Sequence, residues 1–301
     1  MLLAIPALRA LRSARPRDTL VVAAQPRIAR LLEILGVADR SVDFETLGLD
    51  ALFQEPLDSP IGEWPARCAD DLRRATRVVA WVGSREPRFV KRLIELVPGS
   101  VVAPSVNAGR PVWEHLVEST AAVAPGPDRA LRAPVRVPAA LADEARRELR
   151  HLGWNGTDRL LIVHPGAGGQ GKRWTTSGFA AVLERLAAMP RLRVAVHQGP
   201  ADLAAVAALP EPLTAAAIRL REPPLPLLAG MLTHAALYVG NDSGISHLAA
   251  AVGTRAVVLF GADQLIWRPW AHHVEPLVVS PATPDDSDIA RVMAAITSVL
   301  G

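Results

Sequence analysis

Residues 235–260 constrain this chain more than any other stretch. Ala235-Ala-Leu-Tyr-Val239 is short and apolar, which predicts a buried strand. Gly240-Asn-Asp-Ser-Gly-Ile-Ser-His247 follows as a polar turn, and His247-Leu-Ala-Ala-Ala-Val252 reads as a helix stopped by Gly253. Ala256-Val-Val-Leu-Phe260 predicts a second strand. Strand, turn, helix and strand make one βαβ crossover. The polar turn falls where the strand ends and the helix begins, the edge at which open α/β sheets bind ligands. Unpaired backbone N–H groups there, with the helix dipole behind them, attract an anion.

The side chains refine this. Ser243 and Asp242 can each cap the helix. His247 lies four residues past Ser243 on the same helix face, and helical side chains lean toward the N-terminus, so its imidazole reaches what the turn holds. The plainer alternative for His247 is a satisfied core histidine. Asp242 repels a phosphate and is better suited to accept from sugar hydroxyls. The Gly-Asp-Ser-Gly string does not read as a serine-protease site, which needs a β-barrel where this turn opens a helix.

At 301 residues, half of them hydrophobic, the chain is long enough for two domains with proper cores. The pattern places a first α/β domain at 1–137 and a second at 138–301. In the first, Pro6 onward is a helix, Thr19–Ala24 a strand, Pro26–Leu35 a helix, Arg77–Gly83 a strand, Pro87–Leu96 a helix, Ser100–Ala103 a strand and Val112–Ala122 a helix. The Pro- and Arg-rich stretch from Ala124 to Pro138 reads as the linker. In the second, Leu141–Leu152 is a helix, Leu160–Val163 a strand, Phe179–Met189 a helix and Leu192–Val196 a strand. Ala204–Leu209 and Leu225–His234 are helices. A last helix over Ser287–Leu300 is expected to pack back toward the first domain. The first domain is odd at its start: doubly wound domains open with a strand near the middle of the sheet, but this chain opens inside the helix that should follow.

Net charge is only +3 and acidic residues are interspersed throughout, which argues against a nucleic-acid surface. No apolar run approaches the ~20 residues of a membrane span. The first forty residues are locally basic, a solvated helix face or a surface for an anionic partner. The single Cys68 excludes an intramolecular disulfide and suits the cytosol.

A second loop follows Leu160–Val163. His164-Pro-Gly-Ala-Gly168-Gly169-Gln-Gly-Lys172-Arg-Trp174 contains G-x-x-x-x-G-K, nearly a P-loop. Arg173 stands where Ser or Thr should hold Mg²⁺, and Trp174 with a Thr-Thr-Ser cluster postpones the helix to about Gly178. A P-loop NTPase is therefore the lesser reading. A Gly-rich loop at a strand's carboxyl end still lets backbone approach a phosphate, with Lys172 to neutralise it. Trp174 reads as a packing residue. Asp202, after a third strand, can accept from ribose hydroxyls or cap a helix.

These residues resemble glycosyltransferase family 9, the lipopolysaccharide heptosyltransferases. The carriers are His164-Pro-Gly-Ala…Lys172-Arg-Trp174, Gln198-Gly-Pro-Ala-Asp202, and Gly240-Asn-Asp-Ser-Gly…His247-Leu-Ala-Ala with Leu259-Phe-Gly261. The resemblance implies a GT-B fold, two Rossmann-like domains with parallel sheets facing a cleft, with the first strand of the N-terminal domain missing. It implies inverting, metal-independent transfer of a heptose-type sugar from a nucleotide diphosphate donor, typically ADP-heptose, to a lipopolysaccharide core or similar acceptor. No cofactor is implied beyond the donor itself. Lys172, Gly168 and Gly169 would hold phosphate, Asp242, Ser243, Gly244 and His247 the diphosphate and sugar, and Asp202 the ribose side. The two glycines replace hydroxyl residues frequent in the family. The expected setting is cytoplasmic, peripheral at the inner membrane, on a lipid-linked saccharide. The family's general base is an Asp in the turn after its first strand, and that position falls before Met1. The expectation is an upstream start or a degenerate, catalytically inactive copy that still binds nucleotide sugar. Glu86, Glu114 and His115 are remote substitutes for the base.

Overall fold

The computed structural model describes residues 1–53, 64–124, 128–280 and 286–301. The chain forms two compact units that divide between Leu131 and Arg132. The sequence places that boundary at 137. The latter half of the Pro-rich stretch joins the second unit because its backbone finds partners there. The Arg132 guanidinium donates to the Trp270 carbonyl at 2.5 Å and the Val135 amide to the Ala251 carbonyl at 2.7 Å.

The first unit alternates helix and strand. Its elements are α1 (Ile5–Ala14), β1 (Val21–Ala24), α2 (Pro26–Ile34), β2 (Arg40–Asp43), α3 (Asp70–Arg73), β3 (Val79–Ala80), α4 (Pro87–Leu96), β4 (Val101–Val102) and α5 (Val112–Ser119). Prolines at the first turn of α1, α2 and α4 start those helices, since their missing N–H would have been an orphan there. β1 pairs parallel with β2, and β3 with β4, as two separate two-stranded sheets among the described residues. Between them lies a cavity of about 1170 Å³, lined by all of β1 and by Val78–Val82. The strand expected over Arg77–Gly83 is thus only two residues long. Leu47, Leu52, Leu72, Phe89 and Leu93 form the buried core of this unit.

The second unit is built from α6 (Ala139–His151), β5 (Arg159–His164), α7 (Thr176–Ala187), β6 (Leu192–Gln198), α8 (Leu203–Ala207), α9 (Glu211–Ala216), β7 (Ile218–Arg221), α10 (Leu225–His234), β8 (Ala235–Asn241), α11 (Gly244–Ala251), β9 (Ala256–Phe260), β10 (Val274–Val278) and α12 (Asp286–Leu300). Its six strands form one parallel sheet in the order β10-β9-β8-β5-β6-β7. The inner strands are apolar along their middles, Leu160–Val163 in β5 and Ala256–Phe260 in β9, because both faces are covered, as in parallel sheets generally. One face packs Leu161, Val163, Leu237, Val239, Val257 and Leu259 against Phe179, Val182 and Leu186 of α7. Ile289, Val292, Ile296 and Leu300 of α12 join the same cluster. The last helix therefore covers the sheet of its own unit, a correction to the expectation that it turns toward the first. Its apolar positions recur every three to four residues and match the stripe left open beside α7.

Among the described residues, no helix is long and apolar enough to cross a membrane.

Candidate functional site

The order in which strands are added to the six-stranded parallel sheet reverses at its middle. From β5 the chain steps outward through β6 to β7, then returns to β8 on the other side of β5 and continues to β9 and β10. Such a switch point splays the loops leaving adjacent strands and opens a crevice at their carboxyl ends. The loops after β5 and β8 are the two polar loops that the sequence singled out. Residues Val163 and His164 of β5 stand beside Val239 and Gly240 of β8. The strands approach closely here: a Cβ on Gly240 would fall 2.4 Å from the Tyr238 hydroxyl and 2.9 Å from the His164 carbonyl oxygen, so only glycine fits.

Lys172 Nζ donates to Asp242 Oδ2 at 2.6 Å, joining the two loops by an ion pair. Asp242 is 3% exposed and Lys172 37%, so the carboxylate is fixed and the ammonium reaches open space. His247 Nε2 lies 3.3 Å from the other Asp242 oxygen. Burial by itself would raise the Asp242 carboxyl, but hydrogen bonds from His247 and Lys172 outweigh it and hold the group below the ordinary carboxylate range. His247 Nδ1 is buried with no hydrogen-bond partner among the described residues. His247 is therefore not a satisfied core histidine.

Helix α11 begins at Gly244, where a cap at Ser243 places its start. Ser243 is its cap, accepting from the Ser246 amide at 3.2 Å. The His247 amide bonds the Ser243 carbonyl. The Gly244 and Ile245 N–H groups remain at the helix mouth without a partner among the described residues, and Gly244 is exposed. A Cβ on Gly244, Gly168 or Gly169 would meet nothing within 4 Å, so the space in front of all three is open.

Two side chains to which the sequence reading gives no role, Asn241 and Ser246, hold this arrangement. Asn241, fully buried at the end of β8, accepts from the Trp174 amide at 2.9 Å and donates to the Pro165 carbonyl at 2.8 Å. It clamps the β5 loop to the β8 turn. Ser246 bonds the Tyr238 hydroxyl at 2.9 Å and donates to the Asn241 carbonyl, which pins α11 to its strand. The signal was available in Asn241, since a polar side chain at the end of an apolar strand must find partners. Trp174 is buried edge-to-face on Phe179, a packing residue as read. On the outer side, the Trp267 ring lies 5.3 Å from Lys172 Nζ, and Gln264 Nε2 donates to the Gly171 carbonyl at 3.4 Å.

Asp202 stands elsewhere. Its carboxylate is buried, accepts from the Gly199 amide at 2.9 Å, and presses on Gly166, where a Cβ would fall 1.9 Å from Oδ1. His164 and His197 share a hydrogen bond between their Nδ1 atoms at 3.0 Å, and His164 Nε2 lies 3.8 Å from Asp202. Burial lowers both imidazoles, His164 to about 4 and His197 to about 3, with the His164–His197 proximity adding to the latter. These three are metal-ligating residue types whose ligand atoms lie within 4.8 Å of one another. Each already has a protein partner, and they act together as a tie beneath the β5 and β6 loops.

The loop departs from a P-loop in geometry as well as in sequence. Gln170–Lys172 is a single 3-10 turn, and α7 starts only at Thr176, capped by the Thr175 hydroxyl on the Gly178 amide. Among the residues considered as a base, His115 is buried with Nε2 2.8 Å from the Pro104 carbonyl, a satisfied core histidine.

Comparison with known proteins accords with this geometry. The sequence model of glycosyltransferase family 9 (heptosyltransferase) matches residues 98–288. Lipopolysaccharide heptosyltransferase 3 of Escherichia coli is 31% identical over 191 residues, 60% of this chain and 51% of that protein. Its counterpart in Escherichia coli strain K12 is 35% identical over 137 residues, 43% of this chain and 38% of that protein. The chain thus matches about half, or less, of the length of these curated relatives. The structure resembles E. coli ADP-heptose lps heptosyltransferase II with a TM-score of 0.71 at 18% identity, over 100% of this chain and 95% of that one. It resembles a glycosyl transferase family 9 protein from Veillonella parvula with a TM-score of 0.73 at 15% identity, over 99% and 93%. A third likeness is to E. coli heptosyltransferase WaaC with ADP, with a TM-score of 0.68 at 15% identity, over 99% and 95%. At these identities the likeness establishes the fold class, GT-B, and the family match goes further: the chain belongs to glycosyltransferase family 9.

Proposed function

We propose that this chain binds a nucleoside diphosphate sugar and serves inverting transfer of a heptose-type sugar, with ADP-heptose as donor and a lipopolysaccharide core or similar glycan as acceptor. One observation carries the reading: Lys172 and the N-terminus of α11 sit together at the switch point, joined through Asp242. A diphosphate seated over the Gly244 and Ile245 amides meets the helix dipole on one side and the Lys172 ammonium on the other. Those two sources of positive charge neutralise the leaving phosphate with no metal required. Lys172 then exchanges its Asp242 partner for phosphate, and Asp242, still oriented by His247, accepts from a sugar hydroxyl. Gly168 and Gly169 let the β5 loop backbone approach the donor. Asp202 reaches the ribose side only through the loop it ties, because its carboxylate is already bonded to Gly199. The acceptor is a lipid-linked saccharide at the cytoplasmic face of the inner membrane.

Calorimetry with ADP and ADP-sugars in EDTA-containing buffer tests this. Binding is expected, with weakening in Lys172→Ala and Asp242→Ala. An absence of binding, or affinity untouched by both substitutions, sinks the proposal. Binding without turnover when acceptor is added would leave a donor-binding protein and remove the transferase half of the reading.

A further inference from the structure

The loop after β9 carries two tryptophans, and they are placed differently. Trp270 is 1% exposed, whereas Trp267 is half-buried and closes the 3-10 turn Ala262–Trp267. β9 lies parallel to β8, which lies parallel to β5, so this turn leaves the same edge of the sheet as the two polar loops. Two contacts carry it across the β8 turn to the β5 loop. Gln264 Nε2 donates to the Gly171 carbonyl at 3.4 Å, and the Trp267 ring stands over Lys172 Nζ, 5.3 Å from the ring centroid. Trp270, three residues on, anchors the end of the loop, its carbonyl accepting from Arg132 at 2.5 Å.

Packing alone does not account for that placement. The face of an indole is electron-rich and attracts a cation lying within about 6 Å of its centroid. Lys172 is 37% exposed and sits on a flexible stem, so Asp242 by itself holds it only until something else claims the ammonium. A diphosphate arriving at the mouth of α11 does claim it. A second carboxylate beside Lys172 would also hold the ammonium, but it would repel the incoming anion. An aromatic face attracts the cation and brings no net charge, so it keeps Lys172 in place through the exchange.

We propose that Trp267 is a positioning residue for the anion site: its ring holds the Lys172 ammonium near the start of α11 while that ammonium passes from Asp242 to a phosphate. Gln264 fixes the loop backbone next to the lysine at Gly171. The proposal rests on the donor reading for the phosphate, and on the ring contact alone for the lysine.

The chain has only two lysines, Lys91 and Lys172, so the contact is open to direct measurement. Lys91 lies in α4 of the first unit and serves as the reference. In protein labelled with carbon-13 lysine, the Lys172 Cε protons, assigned by their loss in Lys172→Ala, are expected upfield of those of Lys91, as protons above an aromatic face are. Trp267→Leu is expected to abolish that shift and Trp267→Phe to keep much of it. Calorimetry with ADP in EDTA-containing buffer gives the second readout. Affinity is expected to fall about 3- to 10-fold in Trp267→Leu and less than about 3-fold in Trp267→Phe. In a Lys172→Ala background Trp267→Leu is expected to change nothing further, because the ring acts through the ammonium. Unshifted Lys172 signals in the parent chain overturn the proposal, as does an equal loss of affinity with and without Lys172. Equal losses in the Phe and Leu variants also overturn it, since shape alone would then be at work. If Trp267→Leu does not fold, tryptophans fluorinated on the benzene ring and inserted only at 267 keep the shape and weaken the face. ADP affinity that falls with each added fluorine supports the proposal, and a flat series overturns it. A parent chain that binds no ADP is a failure of the donor reading, and the lysine spectra then decide whether the ring holds the ammonium.

Discussion

The two units use the same alternation of strand and helix and reach different ends. In the second, six strands share one sheet, and β5, β6, β8 and β9 are flanked on both edges. In the first, the four strands of the described residues form two pairs around a cavity. The difference does not lie in helix quality, since the helices of both units bury apolar stripes. It lies in whether each strand has neighbours. A strand gains most of its definition from the chain beside it, so β3 shrinks to two residues where the apolar run Val78–Val82 predicted more.

Truncating a buried aromatic in each unit breaks this comparison most strongly. Phe260 is 1% exposed at the end of β9, and Phe260→Ala is expected to cost about 3–5 kcal/mol, because the closed sheet cannot collapse into the space. Phe89 is fully buried and stacks on Phe53 at 4.6 Å, but it borders the existing cavity. Phe89→Ala enlarges a void already present and is expected to cost less than half as much. Pulse proteolysis with fragments assigned to each unit reads both values. Equal losses would remove the distinction drawn between the units.

Acid separates the units next. His164 and His197 are held neutral by burial, at about 4 and about 3, against an unfolded value near 6.5. For a lowered histidine the unfolded chain binds the proton first. Stability is therefore whole above about pH 6.5 and falls with acid toward the folded values, by up to roughly 1.4 kcal/mol per pH unit for each ring. Asp242, lowered by its two partners, adds a further loss only as pH drops below the ordinary carboxylate range. The second unit is expected to lose about 2 kcal/mol or more between pH 6.5 and pH 5. His197→Gln should flatten that slope. A slope unchanged by the substitution would place the acid sensitivity elsewhere.

Lys172→Ala acts on the site rather than the fold. A charge-assisted bond to phosphate is worth about 1.5–3 kcal/mol, so donor affinity should fall by roughly 10- to 150-fold. The variant also leaves Asp242 buried with only His247 beside it, so a small loss of stability in the second unit is expected alongside. Calorimetry and unfolding on the same samples separate the two effects. Lys172→Arg distinguishes charge from shape, since a planar fork does not replace a compact ammonium beside the Trp267 ring.

How much of this the sequence discloses depends on the kind of residue. The βαβ unit around Gly240–His247 is legible because its strands are apolar on both faces and its turn is polar throughout. The same reading misses β2, β7 and β10, which lie at sheet edges. Arg40-Ser-Val-Asp43 and Ile218-Arg-Leu-Arg221 are four residues each, with three and two of them polar, so only the neighbouring strand identifies them as strands. In the site, Lys172, Asp242, Ser243 and His247 were legible because charge and hydroxyl groups at a helix start have few structural uses. Asn241 was not, because its role is to bond backbone atoms some seventy residues away, at Pro165 and Trp174. Asp202 shows the limit from the other side. An acid after a strand reads as a ligand group or a helix cap, and it takes the fold to show it buried with Oδ2 accepting from the Gly199 amide.

The smallest expected effect sharpens the comparison at the helix starts. In the first unit α2 and α4 begin on proline with no side-chain cap bond, whereas α7 and α11 in the second are capped by the hydroxyls of Thr175 and Ser243. Thr175→Ala and Ser243→Ala are each expected to cost about 1 kcal/mol, and the glycine variants only a few tenths, because glycine tolerates the cap backbone. Affinity should divide the two positions. Ser243 stands at the mouth where Gly244 and Ile245 present their amides, so both of its variants lose a donor hydroxyl and weaken ADP-sugar binding by about the same factor whatever they do to stability. Thr175 bonds only its own helix and Ser177, so its variants move stability and leave affinity unchanged. If Ser243→Gly binds donor as well as the parent chain does, the hydroxyl serves the helix alone, and the anion site reduces to backbone amides and Lys172.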